Sequence, residues 1–112
     1  MARIWRWKTR PKFVAMELAR LLPHTEIAPT MRHWRGPHGE EVDIVLEQRG
    51  GRVIAIEVKA GATVGRDDIR WLERFRTLAG DRFVAGLVLC TTRQTTPLGD
   101  RIWAVPIDTL WR

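Results

Sequence analysis

The stretch EVDIVLEQRGGRVIAIEVKA, residues 41–60, has the pattern of two apolar β-strands joined by a glycine-containing loop. The first apolar run covers residues 42–46, and the second covers residues 53–58. Asp43 lies inside the first run, whereas Glu57 lies inside the second and is followed two residues later by Lys59. A charged side chain in a buried strand is costly unless it is paired or bound to a metal. The stretch therefore predicts a hairpin that carries a charged site.

The length of the loop decides whether the two acids meet. A two-residue turn at Gly50-Gly51 would place Asp43 opposite Val58, which is wrong by one residue. A loop of three or five residues centred on Gly50 places Asp43 opposite Glu57 instead. We predict the odd loop, or a compensating bulge, because only that register brings the two carboxylates together on one face.

Two facing carboxylates and a nearby ammonium favour metal-assisted chemistry. Cross-strand neighbours lie roughly 5 Å apart, and at that distance one acid would be protonated unless a cation sits between the two. Hard oxygen ligands suit Mg²⁺ or Mn²⁺, which polarise a phosphate and lower the pKa of a bound water. Lys59 could orient that water or offset charge on the phosphate. The alternative is that Glu57 and Lys59 form a solvated pair on an edge strand.

The rest of the chain predicts an α/β sandwich around a mixed sheet with one crossover helix. Residues 83–90 are almost all apolar, which is typical of a central strand covered on both faces. In the second helix, Ile69, Leu72, Phe75 and Leu78 are predicted to face the sheet, and Gly80 is predicted to end the helix. The predicted elements are a helix over 11–22, strands over 31–35, 41–47 and 52–60, a helix from the capping-rich stretch 63–68 to about 78, and strands over 83–90 and 102–105.

A further acid, Glu17, lies on the apolar face of the first predicted helix, between Phe13 and Leu21 on the helical wheel. An acid on the face that meets the sheet needs a partner there. Glu17 is either part of the charged site or a residue at the rim whose carboxylate reaches solvent.

Composition indicates a single cytoplasmic domain over residues 1–112, with residues 1–10 as a basic N-terminal extension. The 19 basic and 13 acidic residues give a formal net charge of +6, which suits a polyanionic partner such as nucleic acid. No apolar run approaches the ~20 residues of a membrane helix, and the N-terminus lacks the apolar region of a secretory signal. The one cysteine, Cys90, is predicted to be a buried free thiol.

The site residues carry a family resemblance. Glu17, Asp43 and the triplet Glu57-Val58-Lys59, in the order helix, strand, strand, resemble the PD-(D/E)xK nuclease superfamily. The resemblance implies a restriction-endonuclease-like αβββαβ core, a divalent metal held by Asp43 and Glu57, a catalytic Lys59 that helps to activate water, and Glu17 as an auxiliary ligand. The implied function is a Mg²⁺- or Mn²⁺-dependent endonuclease that hydrolyses phosphodiester bonds of DNA.

A narrower resemblance covers most of the chain. The segments FVAMELARLL, HWRGPHGEEVDIVLE, VIAIEVKAGATV and GDRFVAGLVLCTT resemble the nuclease-like C-terminal domain that follows an AAA+ ATPase module in an uncharacterised family. The chain contains no GxxxxGK[ST] motif, so no nucleotide cofactor is expected. Two alternatives stay open: an inactive nuclease-like module that binds DNA or a protein partner, and a terminal domain severed from the ATPase.

Candidate contacts to nucleic acid follow from the basic side chains. A row spaced by four residues on the second helix would meet phosphates or simply face solvent. Trp5 and Trp7 alternate with basic residues and would stack on bases or pack on the core. His33 would line the site if its strand abuts Asp43. A homodimer is possible, although no stripe in the sequence identifies its interface. The predicted nucleic-acid contacts are Arg35, Arg66, Arg70, Trp71 and Arg74.

Overall fold

We describe residues 30–48 and 50–108 of the computed structural model. The predicted helix over 11–22 with Glu17, and the extension with Trp5 and Trp7, lie outside the described residues. Within the described residues the chain forms six strands and one α-helix. These are β1 (Thr30–Arg35), β2 (Glu41–Glu47), β3 (Val53–Val58), α1 (Arg66–Ala79), β4 (Phe83–Cys90), β5 (Thr96–Gly99) and β6 (Ile102–Pro106), with a 3-10 turn at Gly80–Arg82.

The strands form one mixed sheet in the order β1-β2-β3-β4-β6-β5. β1, β2 and β3 are antiparallel neighbours. β3, β4 and β6 run parallel, and β5 pairs antiparallel with β6. The mixed α/β class is confirmed. Because parallel strands point the same way, the carboxyl ends of β3, β4 and β6 lie along one edge of the sheet.

The sheet buries apolar side chains on both faces. α1 connects β3 to β4 and packs on one face, in a cluster that includes Leu72, Val88 and Ile102. The opposite face carries a second cluster of Ile44, Leu46, Ile56, Val58 and Leu89. β4 occupies an interior position between two parallel neighbours, as its apolar sequence predicts. Its last residue, Cys90, is a buried free thiol, also as predicted.

The hairpin register is confirmed. Ile44 pairs with Ile56 and Val45 with Ala55, so β2 and β3 are joined by the five residues 48–52, centred on Gly50. Gly50 and Gly51 have positive φ angles of 98° and 89°, which glycine adopts without steric cost. The next pair along this register is Asp43 and Glu57.

Two predictions about the fold need correction. Leu78 does not face the sheet: it is 51% exposed, and Ala79 is buried in its place. Each step of three residues falls about 60° short of a full helical turn, so a strict three-residue repeat rotates off the buried face. The strand β5 was not predicted, because its sequence Thr96-Pro97-Leu98-Gly99 contains proline and glycine. Proline is tolerated there because β5 is a short edge strand.

No helix among the described residues is long and apolar enough to cross a membrane.

Candidate metal-binding and catalytic site

The carboxylates of Asp43 and Glu57 meet where β2 and β3 diverge. The paired ladder ends at Ile44 and Ile56. Beyond that pair, the backbone N–H of Asp43 donates to Glu57 Oε1 at 3.0 Å, and the backbone N–H of Val58 donates to Asp43 Oδ2 at 2.9 Å. Each carboxylate therefore accepts a backbone N–H of the other strand, in place of a main-chain hydrogen bond between the strands. The two side chains are held together by the backbone of the hairpin, as its register predicts.

Both carboxyl groups are hard to ionise at this position. Burial, followed by the charge of Asp43, raises the pKa of Glu57 to about 8. Burial also raises the pKa of Asp43. The hydrogen bond from the Val58 N–H has the opposite, smaller effect. Desolvation and a like charge both disfavour the ionised form, and a cation between the carboxylates would reverse both effects. Both acids are therefore protonated more readily than exposed carboxylates, and a nearby cation would favour their ionised forms.

A β-bulge lies next to Asp43. Arg32 pairs with Val45, but the next pair joins Trp34 to Val42. One residue of β1, His33, thus stands opposite two residues of β2. A bulge bends its strand and redirects a side chain, and bulges are common beside active sites.

The His33 ring contacts the backbone of this bulge. Its Nδ1 lies 3.4 Å from the Asp43 carbonyl oxygen, and its Nε2 accepts from Arg35 Nε at 3.2 Å. A neutral ring protonated at Nδ1 satisfies both contacts. His33 therefore does border the site, through the backbone of Asp43.

Lys59 follows the last residue of β3 and is turned towards α1. Its Nζ forms an ion pair with Asp68 Oδ2, and the two side chains are 29% and 32% exposed. Among the described residues, Lys59 forms its ion pair with Asp68 and forms none with Asp43 or Glu57. The same Asp68 oxygen accepts the backbone N–H of Gly65 at 2.6 Å, at the start of α1. The Lys59 ammonium, followed by this backbone bond, holds the pKa of Asp68 below its ordinary value.

Asp68 is a site residue that the sequence analysis missed. It was included only among the capping residues of the 63–68 stretch. Its charge also contributes to the raised pKa of Glu57, so it lies within electrostatic reach of the carboxylate pair. Lys59 could have indicated from the sequence that such an acid was needed, because an ammonium in an apolar strand needs a counter-ion.

A second missed residue is Glu40, which is 2% exposed. Its Oε1 accepts the backbone N–H of His38 at 2.6 Å, and its Oε2 lies 3.6 Å from Arg74 Nε. A hydrogen bond from its own backbone N–H is the main reason that its pKa is lowered. Glu40 thus closes the β1–β2 turn and ties it to α1.

The predicted nucleic-acid contacts fall into two groups. Arg35 and Arg74 have acidic partners, since Arg35 Nε lies 3.5 Å from Glu41 Oε1 and Arg74 pairs with Glu40. Arg66 and Arg70 are exposed on α1, and the Arg70 guanidinium lies 4.3 Å from the ring centroid of Trp71. Trp71 is half-buried and packs against the core, so it is less exposed than its position off the Ile69–Leu72 face suggested.

The donor set fits a hard divalent cation in part. Asp43 Oδ1 and Glu57 Oε2 accept no hydrogen bond from the described residues, which leaves one oxygen of each carboxylate available. Carboxylate oxygens are the ligands that Mg²⁺ and Mn²⁺ prefer. Within residues 30–48 and 50–108, however, no group of three or more His, Cys, Asp or Glu side chains could hold a metal ion. The third predicted ligand, Glu17, lies outside these ranges.

Comparison with known proteins identifies the family. Residues 12–110 match a family described as "Domain of unknown function (DUF4143)", and the chain belongs to it. No curated protein and no solved structure gives a significant match to the chain.

Proposed function

We propose that the domain is a divalent-metal-dependent endonuclease of the restriction-endonuclease-like fold that hydrolyses phosphodiester bonds of DNA. The observation that supports this best is the pair of carboxylates, Asp43 and Glu57, held together at the divergence of β2 and β3 with raised pKa values. A half-buried pair of acids with raised pKa values is unfavourable for the fold, and such groups cluster at functional sites. The mixed sheet and α1 are compatible with the part of the implied core that falls in the described residues; its first helix lies outside them.

Asp43 and Glu57 would hold Mg²⁺ or Mn²⁺ through their available oxygens, with Glu17 as the auxiliary ligand. When bound, the metal polarises the phosphodiester and makes its water a stronger nucleophile. The half-buried position of the two carboxylates limits their hydration and would strengthen their attraction for a cation.

Lys59 would act on the substrate rather than on the metal. It lies at the carboxyl end of β3, two residues from Glu57, and its flexible stem carries a compact ammonium. From its ion pair with Asp68 the ammonium can turn to the phosphate and offset the negative charge that develops there.

The path of the DNA would follow α1. Arg66 and Arg70 are exposed on this helix, whose N-terminus carries the partner of Lys59. Phosphate contacts from these arginines would place the backbone of the substrate beside the carboxylate pair. We place the reaction in the cytoplasm, where the buried free thiol of Cys90 is stable.

A second candidate is a nuclease-like module that binds DNA or a protein partner without cleaving, either alone or as a domain severed from an AAA+ ATPase. Two observations favour it. Among the described residues, no third acid joins Asp43 and Glu57 in a group that could hold a metal ion. The ammonium of Lys59 is also paired with Asp68 rather than directed at the carboxylates.

Plasmid cleavage distinguishes the two candidates. Purified protein is incubated with supercoiled, linear and branched DNA, with Mg²⁺, Mn²⁺ or EDTA. Lys59→Ala is the test variant, and Arg52→Ala, an exposed basic residue at the opposite end of β3, is the matched control. A nuclease predicts metal-dependent cleavage that Lys59→Ala abolishes and Arg52→Ala retains. DNA binding without cleavage supports the module, and cleavage that survives in Lys59→Ala excludes the proposed site.

A further inference from the structure

Lys59 and Glu57 are close along the chain, yet their charges are kept apart. Side chains two residues apart in an extended segment point to the same side, so Glu57 is within reach of the Lys59 stem. The ammonium nevertheless pairs with Asp68, on a different element, and the Glu57 carboxylate bonds to the backbone of β2. The half-buried Glu57 carboxylate is therefore left without its nearest cation along the chain.

A Lys59–Glu57 ion pair would compete with a metal. An ammonium beside Glu57 would neutralise the charge that attracts a divalent cation and would occupy a carboxylate oxygen that the cation needs. The protein avoids this competition only as long as Lys59 has a better partner.

Asp68 is built to be that partner. Its carboxylate is fixed by the Gly65 N–H at the start of α1. α1 is in turn fixed to the sheet by Ile69, Leu72 and Phe75, which are buried. The ion pair therefore has an acceptor that is already fixed, so only the lysine side chain must be ordered when the pair forms.

We propose that Asp68 is a positioning residue that holds the Lys59 ammonium at the start of α1 and thereby keeps Asp43 and Glu57 available to a divalent cation. This inference rests on the proposed function in so far as it takes the carboxylate pair as the cation site. It adds Asp68, on α1, to that site, and it holds that Asp68 acts on the site through Lys59.

The test is a cycle of variants measured by calorimetric titration with Mn²⁺ in the absence of DNA. Asp68→Asn frees Lys59, Lys59→Met removes the ammonium, and the double variant does both. Asp67→Asn is the matched control, since Asp67 carries the same charge in the same turn and is exposed. Asp43→Ala establishes where the metal binds, and circular dichroism melting establishes that each variant folds.

Asp68→Asn is expected to weaken Mn²⁺ binding about tenfold or more, in the range of other residues that orient metal ligands. Asp67→Asn and Lys59→Met are expected to change affinity by less than about threefold. The double variant has the same net charge as the wild type and is expected to regain wild-type affinity within about threefold, because no ammonium remains to compete. If Asp68→Asn fails to fold, Asp68→Ser replaces it, since a serine hydroxyl can still accept the Gly65 N–H.

The outcomes separate the two proposals. Absence of Mn²⁺ binding in the wild type, or binding that Asp43→Ala leaves intact, overturns the metal site and this inference with it. Binding at Asp43 that Asp68→Asn weakens no more than Asp67→Asn overturns the inference alone. A double variant as weak as Asp68→Asn also overturns it, because Asp68 would then act independently of Lys59.

Discussion

Asp43 and Glu57 lie opposite each other at the end of the β2–β3 ladder, and each carboxylate accepts a backbone hydrogen bond from the strand of the other. The bonds satisfy one oxygen of each acid and hold the two carboxyl groups side by side in a half-buried position, where ionisation of both is unfavourable. This relationship is unfavourable in the folded protein without a cation. Under the proposed function, the two residues that hold the cation are also the ones that lower the stability of the metal-free fold.

The first prediction is that the free energy of unfolding of the metal-free protein falls as pH rises. In the folded protein the pKa of Glu57 is raised from an ordinary 4.5 to about 8. Between these values the unfolded chain has lost the proton that the folded chain still holds, so the free energy of unfolding decreases with pH across this window and levels off above it. The decrease is expected to be on the order of 5 kcal/mol without metal, because each unit by which the folded pKa exceeds the unfolded pKa corresponds to about 1.4 kcal/mol.

Denaturant unfolding at intervals of pH checks this prediction. Glu57→Gln should remove most of the slope, whereas Glu73→Gln, on α1, should retain it. The lowered pKa of Asp68 acts in the opposite direction but below about pH 4, outside the window. A wild-type stability that is flat or rising from about pH 5 to 8 would contradict the burial of an acid at residue 57.

Asp43→Asn should stabilise the fold and abolish metal binding. The asparagine oxygen can still accept the Val58 N–H, while the repulsion between ionised Asp43 and Glu57 is removed. At a pH above 8 the melting temperature is expected to rise by roughly 4 °C or more, since about 1 kcal/mol corresponds to 4–8 °C in a domain of this size. Scanning calorimetry measures the rise, and Mn²⁺ titration measures the loss. A variant that melts lower than the wild type would show that the Asp43 charge stabilises the apo fold.

Gly36→Ala should destabilise the domain through its contact with Glu40. A Cβ at residue 36 would lie 2.6 Å from Glu40 Cδ, which is closer than packed atoms approach. Because Glu40 is buried and closes the turn, the overlap is expected to cost about 1–3 kcal/mol of unfolding free energy.

Denaturant unfolding of single and double variants tests the source of this cost. In a Glu40→Ala background, Gly36→Ala should be nearly neutral, a coupling that a double-mutant cycle measures. Gly61→Ala is the control, since a Cβ there first meets Lys59 Cε at 4.0 Å. Equal costs of Gly36→Ala in both backgrounds would rule out the contact as the cause.

Arg66→Ala and Arg70→Ala should weaken DNA binding uniformly across sequences. Each is expected to reduce the slope of log affinity against log salt concentration by about 1, as loss of one phosphate contact does. Fluorescence anisotropy in EDTA with a duplex separates binding from cleavage. Arg52→Ala, on an exposed arginine at the far end of the sheet, should leave the slope unchanged. If all three variants behave alike, α1 is not the DNA surface.

The hairpin shows how much of the structure can be predicted from residues that are close in sequence. Strand bounds of Glu41–Glu47 follow from one apolar run, and the register follows from the requirement that Asp43 meet Glu57. The strand bounds depend on alternation among residues close in sequence, whereas the odd loop was predicted from the chemistry, because a Gly50-Gly51 turn alone would place Asp43 opposite Val58. The bulge opposite His33 does not follow from such a pattern, because it is set by how β1 pairs with β2.

The partners of the charged residues lie further along the chain. Lys59 meets Asp68 only because α1 starts beside the end of β3. Glu40 meets Arg74 only because α1 runs past the β1–β2 turn. Neither the spacing of these residues nor their types indicates the pairing, since several acids and arginines were available to each.

The sequence by itself determined the α/β class, the hairpin and the meeting of Asp43 with Glu57, because side-chain alternation acts within a few residues and two acids inside apolar strands need a common site. The tertiary structure alone decided which cation each acid receives, because charges pair according to where α1 packs on the sheet. It placed the Lys59 ammonium on Asp68 and left the Asp43–Glu57 pair unneutralised by the described residues. Burial then raised the pKa of both acids, and burial is a property of the packed sheet rather than of any single strand.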